Sequence, residues 1–318
     1  VLAKEKLLKG KTVGVDATTL EANAALRSLC RTDTGEPYQD YLTELAKESG
    51  IDTPTREDLA KLDKARKKKT SNDDWEHPHD PDAKVTRMKD KRTHLAHKAE
   101  HVVDLDTQAI VAVNLGDANE GDTSSITWSL LRAEANLATV SEDPQAARKL
   151  HERRMAEVVA DKGYHSNEVL VDLRASDIRS HVSEPSRGRR KWKDKEEARV
   201  AVYGNRRRIK SPRGQDLQKL RAEIVERGFA HTYDSGGMRR LHLRGRGNIL
   251  KRLLIHVAGF NLSLIMRKLV GAGTPRGGAA LSNCLRELFQ ALLSAASAGE
   301  TRFRRYRLLV FPNGVFAC

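Results

Sequence analysis

"EVVADKGYHSNEVLVDLRASDIRSHVSEP" occupies residues 157–185 and decides the fold class. Residues 157–161 predict a buried strand that ends on Asp161. Ser166 suits a helix N-cap before "NEVLVDLRASD", and residues 178–185 predict a short strand that is closed by Pro185. Strand, turn, helix and strand in this order are typical of a parallel crossover connection. The stretch therefore predicts an α/β fold with parallel strands.

A second predicted strand also leads to a carboxylate. "KTVGVDATTLEANAAL" (residues 11–26) opens with Val13 and Val15, and its strand pattern ends at Asp16. Reactive groups collect beyond the carboxyl ends of neighbouring strands in open sheets. Two unpaired carboxylates there would repel each other and resist ionisation, a penalty that a magnesium-like cation removes. Because two such ions about 4 Å apart can activate water and steady a leaving oxygen, the pair predicts metal-dependent phosphoryl transfer.

The remaining sequence completes one large domain over residues 1–270. Residues 27–98 are polar and predict an insertion after the first strand, with one short helix at about 55–69 followed by a Pro-broken loop. Residues 99–105 and 109–115 predict a β-hairpin. Helical patterns dominate residues 215–270, and residues 271–318 read as a linker, an amphipathic helix and a basic tail. The predicted fold class is α/β, a mixed sheet flanked by helices.

Positive charge is concentrated in two windows. The chain has 57 Lys and Arg against 43 acidic residues, a net charge of +14. Residues 187–213 hold twelve basic and three acidic residues, and residues 238–252 hold six basic residues and no acidic one. Clusters of this kind indicate a polyanion-binding face, because each neutralised phosphate releases counterions. A solvated loop and an ordinary basic helix are the alternative, but apolar periodicity around the second window favours nucleic-acid contact.

Other protein classes are disfavoured. No apolar run approaches the roughly 20 residues that span a bilayer, and the first residues do not resemble a signal peptide, so we expect a soluble, cytoplasmic protein without a membrane partner. Cys30, Cys284 and Cys318 are far apart and form no CxxC pair. They predict reduced thiols instead of a disulfide framework or a thiolate zinc site.

Three histidines need a separate interpretation. His94, His97 and His101 would share one side of a helix, as zinc ligands do. However, the segment leads directly into β-branched residues, and a strand would place His94 on the face opposite His97 and His101. We therefore expect packing or hydrogen bonding beside the sheet. His77 and His79 lie in the Pro-rich loop and have only weak metal-binding potential.

A third acid is available on the helical segment after residue 215. Glu223 and Glu226 are three residues apart and share roughly one face, so spacing alone does not choose between them. Taken in order, "GVDATTLEAN", "ADKGY" and "VERGFAH" followed by "GGMRRLHLRGRGNILKRLLIHVAGFNL" resemble the DDE transposases of bacterial insertion sequences. The resemblance covers roughly residues 11–270.

The resemblance implies a ribonuclease-H-like catalytic domain and a site. It assigns Asp16, Asp161 and Glu226 as catalytic metal ligands for Mg²⁺, with Mn²⁺ as a substitute; Glu226 is preferred to Glu223 because it occupies the Glu-Arg-x-Phe position. The implied reaction is hydrolysis of a DNA phosphodiester followed by attack of the freed 3′ hydroxyl on target DNA, two in-line displacements at one site. The implied partner is double-stranded DNA at transposon ends and target, bound by a homodimer in the bacterial nucleoid.

The chain also departs from the family pattern. Where many relatives have Tyr and Arg before the Glu and Lys after it, this sequence has Lys219, Ala222 and Tyr233. Relatives carry an N-terminal helical domain before the first catalytic strand, and the early position of Asp16 leads us to expect that this domain is lacking. In the family this domain commonly supplies recognition of the transposon ends.

Basic and aromatic residues supply candidate DNA contacts. Gly163 suits the tight turn after Asp161, and Lys162 beside it is either a phosphate contact or a solvated turn residue. Trp192 is either a stacking surface for an unpaired base or a partial core anchor. The full set of predicted contacts is Lys162, Arg190, Lys191, Trp192, Arg221, Arg227, Arg239, Arg240, Arg244 and Arg246.

Two other functions remain open from the sequence. A non-catalytic DNA-binding remnant would regulate an intact transposase by binding DNA or its subunits. A metal-dependent nuclease would cut DNA without joining strands. Loss of metal-dependent nicking in Asp161→Ala with retained DNA binding distinguishes an enzyme from a remnant, and a joining assay distinguishes transposase from nuclease.

Overall fold

The computed structural model describes residues 1–65, 71–88, 90–186, 188, 190–270, 286, 287 and 290. Residues 271–318, predicted as a linker, a helix and a tail, lie outside this described part except for residues 286, 287 and 290. The strands are β1 (Thr12–Glu21), β2 (Cys30–Arg31), β3 (Trp75–Glu76), β4 (Lys84–Arg87), β5 (Thr93–Asp104), β6 (Ile110–Asp117), β7 (Glu157–Ala160) and β8 (Arg179–Val182). The helices are α1 (Tyr38–Glu48), α2 (Arg56–Ala65), α3 (Asp122–Ser141), α4 (Pro144–Ala147), α5 (Asn167–Ala175), α6 (Glu196–Lys210), α7 (Pro212–Phe229) and α8 (Arg246–Val270).

A mixed six-stranded sheet forms the centre of the fold. Its order is β4-β5-β1-β7-β8, and β6 also pairs with β5. The β5–β6 pair is the predicted hairpin, while β1 pairs antiparallel with β5 and parallel with β7. β7 and β8 are parallel and are joined through α5. The predicted α/β class, parallel crossover and central mixed sheet are confirmed.

β1 is longer than its sequence pattern predicts, because the pattern ends the strand at Asp16. The strand continues to Glu21, because residues 16–21 remain paired with β5 on one side. Its parallel pairing with β7 ends earlier, at Val15 opposite Ala160. Asp16 therefore marks the end of the shared β1–β7 ladder and lies within the longer strand.

The main core lies between the sheet and helices that contact it. Buried Val13, Val15, Val158 and Val159 from β1 and β7 pack with apolar side chains of the surrounding helices. α7 contacts β1, β5, β7 and β8. Its N-terminus is capped by Ser211, whose hydroxyl accepts a hydrogen bond from the Gly214 N–H at 3.1 Å, and Pro212 occupies the first turn. A short π-helix, Ala230–Ser235, follows α7 directly.

The insertion has more structure than the sequence predicts. α2 confirms the predicted short helix at about 55–69, and the described residues between 27 and 98 also contain α1, the β2–β3 ribbon and β4, which the sequence pattern does not predict. These elements surround a second apolar cluster in which Tyr38 packs edge-on against Trp75 with centroids 4.9 Å apart. The predicted boundary at residue 98 is also displaced, because β5 begins at Thr93 and carries the central sheet.

α8 is long and apolar enough to cross a membrane by length and composition over Arg246–Leu269, where 28% of the apolar window is buried. This differs from the expectation that no segment reaches that length. One such helix is weak support for a membrane span, since core helices pass the same test. Here Ile249, Leu253 and Val257 are buried in the main core, and α8 packs on β6.

Candidate active site

Asp16 and Asp161 lie side by side on adjacent strands. The last parallel pair between β1 and β7 is Val15 with Ala160, and the next residue on each chain segment is one of the two aspartates. Paired strands run about 4.8 Å apart. The negative charge of Asp161 is one of the influences that raise the pKa of Asp16. The structure thus brings together the two carboxylates that the strand patterns predict at one edge.

Arg221 of α7 neutralises Asp16. Its Nη1 donates to Asp16 Oδ2 at 2.5 Å, and the Ala17 N–H donates to Oδ1 at 2.9 Å. Burial is the largest influence on the pKa of Asp16 and raises it above the usual value, while Arg221 opposes this rise. The arginine stem fits because Gly14 lacks a side chain: a methyl group there would lie 3.1 Å from Arg221 Cγ. Arg221 is buried and its observed partner is Asp16, so its role as a DNA contact stays a prediction.

The Asp161 carboxylate is oriented by the turn that follows it. Asp161 caps a short 3₁₀-helix, Lys162–Tyr164, and its Oδ1 accepts the Gly163 N–H at 2.8 Å. Lys162 is exposed at this turn. Ser166 accepts from the Val169 N–H at 3.0 Å and caps α5 as predicted. Local capping therefore fixes the direction in which the acid leaves the strand.

A network of buried hydrogen bonds holds Tyr164, the last residue of this turn. Tyr164 donates to Glu100 Oε1 at 2.7 Å, Ser125 donates to the same oxygen at 2.9 Å, and Ser129 donates to Oε2. Burial raises the pKa of Glu100, and the three hydrogen bonds oppose the rise. The network joins the Asp161 turn to β5 and α3. Sequence reasoning missed it, although Lys98 and Glu100, two charges at alternate positions of one strand face in an apolar run, were an available signal.

Asp122, at the start of α3, approaches the Asp161 turn from a second direction. Its Oδ1 pairs with buried Lys98 Nζ at 2.6 Å. A methyl group on Gly163 would lie 2.3 Å from Asp122 Oδ2 and 3.1 Å from Asp161 Oδ1. The two carboxylates therefore flank one point, and the position tolerates only glycine without movement of a neighbour. This is a second reason for Gly163 besides the turn itself.

The predicted third ligand, Glu226, lies on α7. Glu226 and Glu223 are both exposed on α7, and Glu223 pairs with Arg227 at 2.5 Å. Arg221 points to Asp16 from the same helix, and five residues further on Glu226 lies about 140° around the helix axis. α7 thus presents an arginine to Asp16 where the family pattern predicts the glutamate nearby.

The donor set suits a hard cation only in part. Asp16 and Asp161 offer carboxylate oxygens, and magnesium is commonly bound through one or two carboxylates together with water and phosphate. Within the described residues no group of three or more His, Cys, Asp or Glu is arranged to hold a metal ion. The residues that suit a magnesium ion are therefore the two aspartates, and Glu226 as a third ligand stays a prediction.

In the first basic window, the predicted DNA contact Arg190 and its neighbour Arg206 bind Glu184. Arg190 and Arg206 both pair with this carboxylate, at 3.0 and 2.8 Å. Lys191 is exposed, whereas Trp192 is half-buried and packs against the main core. The interpretation of Trp192 as a partial core anchor is confirmed, and stacking on an unpaired base stays a prediction.

In the second window the predicted contacts mostly bind other parts of the chain. Arg239 donates to Asp234 at 2.6 Å and to Thr18, and Arg244 donates to the Asn23 carbonyl at 2.8 Å. Arg246 pairs with Asp82 at 3.3 Å and with Asp117. Arg240 lies 3.7 Å from Glu21 and remains largely exposed. Arg227, on α7, also donates to Gln108. These arginines fasten the segment after the π-helix to β1 and the insertion, a structural use that charge counting does not reveal.

The histidines have structural partners. His94, His97 and His101 all lie on strand β5, as expected. His97 contacts Asp80 at 3.2 Å, and both side chains are fully buried. His101 contacts the Tyr233 hydroxyl at 2.6 Å, and burial lowers the pKa of His101 to about 3, so it is neutral. Tyr233 is thus a core residue. Cys30 is a free thiol.

No protein-family model matches the chain, and comparisons with curated proteins and with solved structures also find no match.

Proposed function

We propose that the chain is the catalytic domain of a DDE transposase, with a ribonuclease-H-like fold as the finer description of its mixed sheet. The observation that carries the proposal is the juxtaposition of Asp16 and Asp161 where the parallel β1–β7 ladder ends. The antiparallel β5–β6 hairpin on one side of β1 and the parallel β7 and β8 on the other suit this fold. The family motifs supply the reaction class.

Mg²⁺, or Mn²⁺ in its place, would be held by Asp16 and Asp161, with Glu226 as the proposed third ligand. Such an ion supplies a Lewis acid and an activated water for displacement at phosphorus. The chain's own contribution is orientation: Arg221 fixes one carboxylate and the Gly163 N–H fixes the other. Lys162, exposed beside Asp161, is in a suitable place to contact the scissile phosphate.

The proposed substrate is double-stranded DNA, bound by a homodimer. Exposed cations, among them Lys162 next to Asp161, Lys191 and Arg240, would contact phosphates. Contacts of this kind position the duplex without reading its sequence. Binding should therefore weaken steeply as salt concentration rises.

Nicking of supercoiled plasmid tests the proposal. We expect cleavage by the wild-type chain with Mg²⁺ or Mn²⁺ and none with EDTA. Asp161→Asn keeps the size and the Gly163 hydrogen bond but removes the charge, and should reduce nicking at least about 100-fold, since electrostatic stabilisation of the reacting phosphate dominates such catalysis. DNA binding measured by gel shift should persist. Glu226→Gln and Glu223→Gln form a matched pair: only the first should abolish nicking.

Joining must be measured separately from cutting. A labelled oligonucleotide with a free 3′ hydroxyl should become covalently attached to plasmid DNA in the presence of the wild-type chain. Nicking without attachment would establish a nuclease and refute strand transfer.

A non-catalytic DNA-binding remnant is the second candidate. It is favoured by the Asp16–Arg221 ion pair, which already neutralises one of the two aspartates, and by the position of Glu226 around α7. Equal DNA binding without nicking in both the wild type and Asp161→Asn would support the remnant over the enzyme.

A further inference from the structure

Two aromatic rings face a basic cleft beyond the carboxyl end of β8. The cleft has a volume of about 760 Å³ and is lined by residues of α6 and of the segment between β8 and α6. The ring centroids of Trp192 and Tyr203 are 6.0 Å apart with planes inclined by 52°, and Tyr203 is 45% exposed. The rings therefore present uncovered aromatic surface inside a charged recess.

Cations surround both rings. The guanidinium of Arg190 lies 5.5 Å from the Trp192 ring centre, and that of Arg206 lies 4.9 Å from the Tyr203 ring centre. Glu184 is the carboxylate at the cleft, and the hydrogen bond from Arg206 is the main cause that lowers its pKa. With Lys210, the described residues that line the cleft include three cations and one carboxylate. A ligand with an aromatic face and negative charge matches this surface.

The cleft is built onto the turn that carries Asp161. β7 and β8 are adjacent and parallel, and Ala160 pairs with Val182, so Asp161 and the segment leading to Glu184 leave the sheet at the same edge. Arg190 donates to Asn167 Oδ1 at 3.2 Å, which ties the cleft to the first residue of α5. A DNA strand with one phosphate at the aspartates would have adjoining nucleotides beside the cleft.

We propose that this cleft binds an unpaired nucleotide of a DNA strand, with the base stacked on Trp192 and Tyr203 and the phosphates near Arg206 and Lys210. The choice of DNA as the ligand rests on the proposed function. A base inside a duplex is already covered by its neighbours, so only an unpaired or extruded base can offer its face. Since every base has such a face, the cleft should show little sequence preference.

Binding without metal tests the cleft independently of catalysis. The full chain in EDTA is titrated against a fluorescein-labelled 12-nucleotide oligothymidylate, and fluorescence anisotropy is measured. Trp192→Leu and Tyr203→Leu should each weaken binding about 5- to 100-fold, the range found for loss of one stacked base. Trp128→Leu is the matched control, because Trp128 is 67% exposed on α3 and should leave affinity unchanged.

A strand of abasic nucleotides of the same length separates stacking from charge. Wild type should bind it more weakly than oligothymidylate, whereas Trp192→Leu should bind the two alike. Trp192→Phe, which keeps a ring, should retain most of the difference and shows that the Leu variant is not merely unfolded. Equal binding of both strands by wild type, or an equal loss of affinity for blunt duplex in the Leu variants, overturns the inference.

Competition identifies the class of ligand. A polyglutamate peptide that displaces the oligothymidylate as effectively as unlabelled strand would show a general acidic-ligand site and overturn the assignment to nucleotides. If plasmid nicking is absent but the stacking difference is present, the proposed transposase activity fails and the cleft stands. If nicking is present and the stacking difference is absent, the proposed activity stands and the assignment of the cleft fails.

Discussion

Tyr164→Phe should destabilise the chain by removing one hydrogen bond from a buried carboxylate. The hydroxyl donates to Glu100 Oε1 at 2.7 Å, and Tyr164 is only 1% exposed. Phenylalanine fills the same space apart from one oxygen, so the packing cost is small. A hydrogen bond to a charged group contributes about 1.5–3 kcal/mol, and Glu100 keeps its two serine donors. We expect the free energy of unfolding to fall by about that amount.

Urea unfolding followed by circular dichroism measures this difference, with Tyr203→Phe as control because Tyr203 is 45% exposed, against 1% for Tyr164. The result should depend on pH. Burial raises the pKa of Glu100 above its ordinary 4.5, so its contribution to stability is fully present below that pH and is lost as pH rises through the folded-state pKa. Loss of the Tyr164 donor raises this pKa further, and the gap between variant and wild type should widen over this range.

Two results would refute the reasoning about Glu100. A loss below about 0.5 kcal/mol, equal to that of the Tyr203→Phe control, would mean that the hydroxyl contributes no more than an exposed group. A loss that does not change between pH 4 and pH 8 would mean that the ionised Glu100 is not the acceptor that matters.

Three further substitutions have defined outcomes in the same unfolding assay. Gly163→Ala places a methyl group 2.3 Å from Asp122 Oδ2 and should cost about 1–3 kcal/mol and slow nicking as the turn moves; unchanged stability and nicking would contradict the clash. Gly259→Ala, where an added methyl group meets nothing within 4 Å on exposed α8, should instead stabilise by about 0.5–1 kcal/mol, and destabilisation would contradict this. Asp104→Asn should cost about 2–3 kcal/mol, because the buried carboxylate accepts three backbone N–H groups, and a loss near zero would show that the amide satisfies them.

The sequence by itself determined the local elements that carry the aspartate pair. Apolar strands that lead to Asp16 and Asp161, the Ser166 cap and the short crossover were readable, because strand alternation, capping and turn chemistry operate over a few residues. The crossover pattern predicted that β7 and β8 are parallel, whereas the pairing of β1 with β7 was decided by the tertiary structure. The same local signals were wrong in one respect. They predicted that β1 ends at Asp16, whereas the strand continues to Glu21 through its pairing with β5.

The tertiary structure alone decided which side chains surround that pair. Arg221 meets Asp16 across 205 positions of sequence, and Tyr164 meets Glu100 across 64. Their chemistry is ordinary in isolation, and no local period specifies the partner. The direction of Glu226 was likewise set by the rotation of α7 that turns its apolar residues and Arg221 toward the sheet. Burial of the apolar face fixes that rotation, and the rotation in turn sets the direction of every polar side chain on the helix.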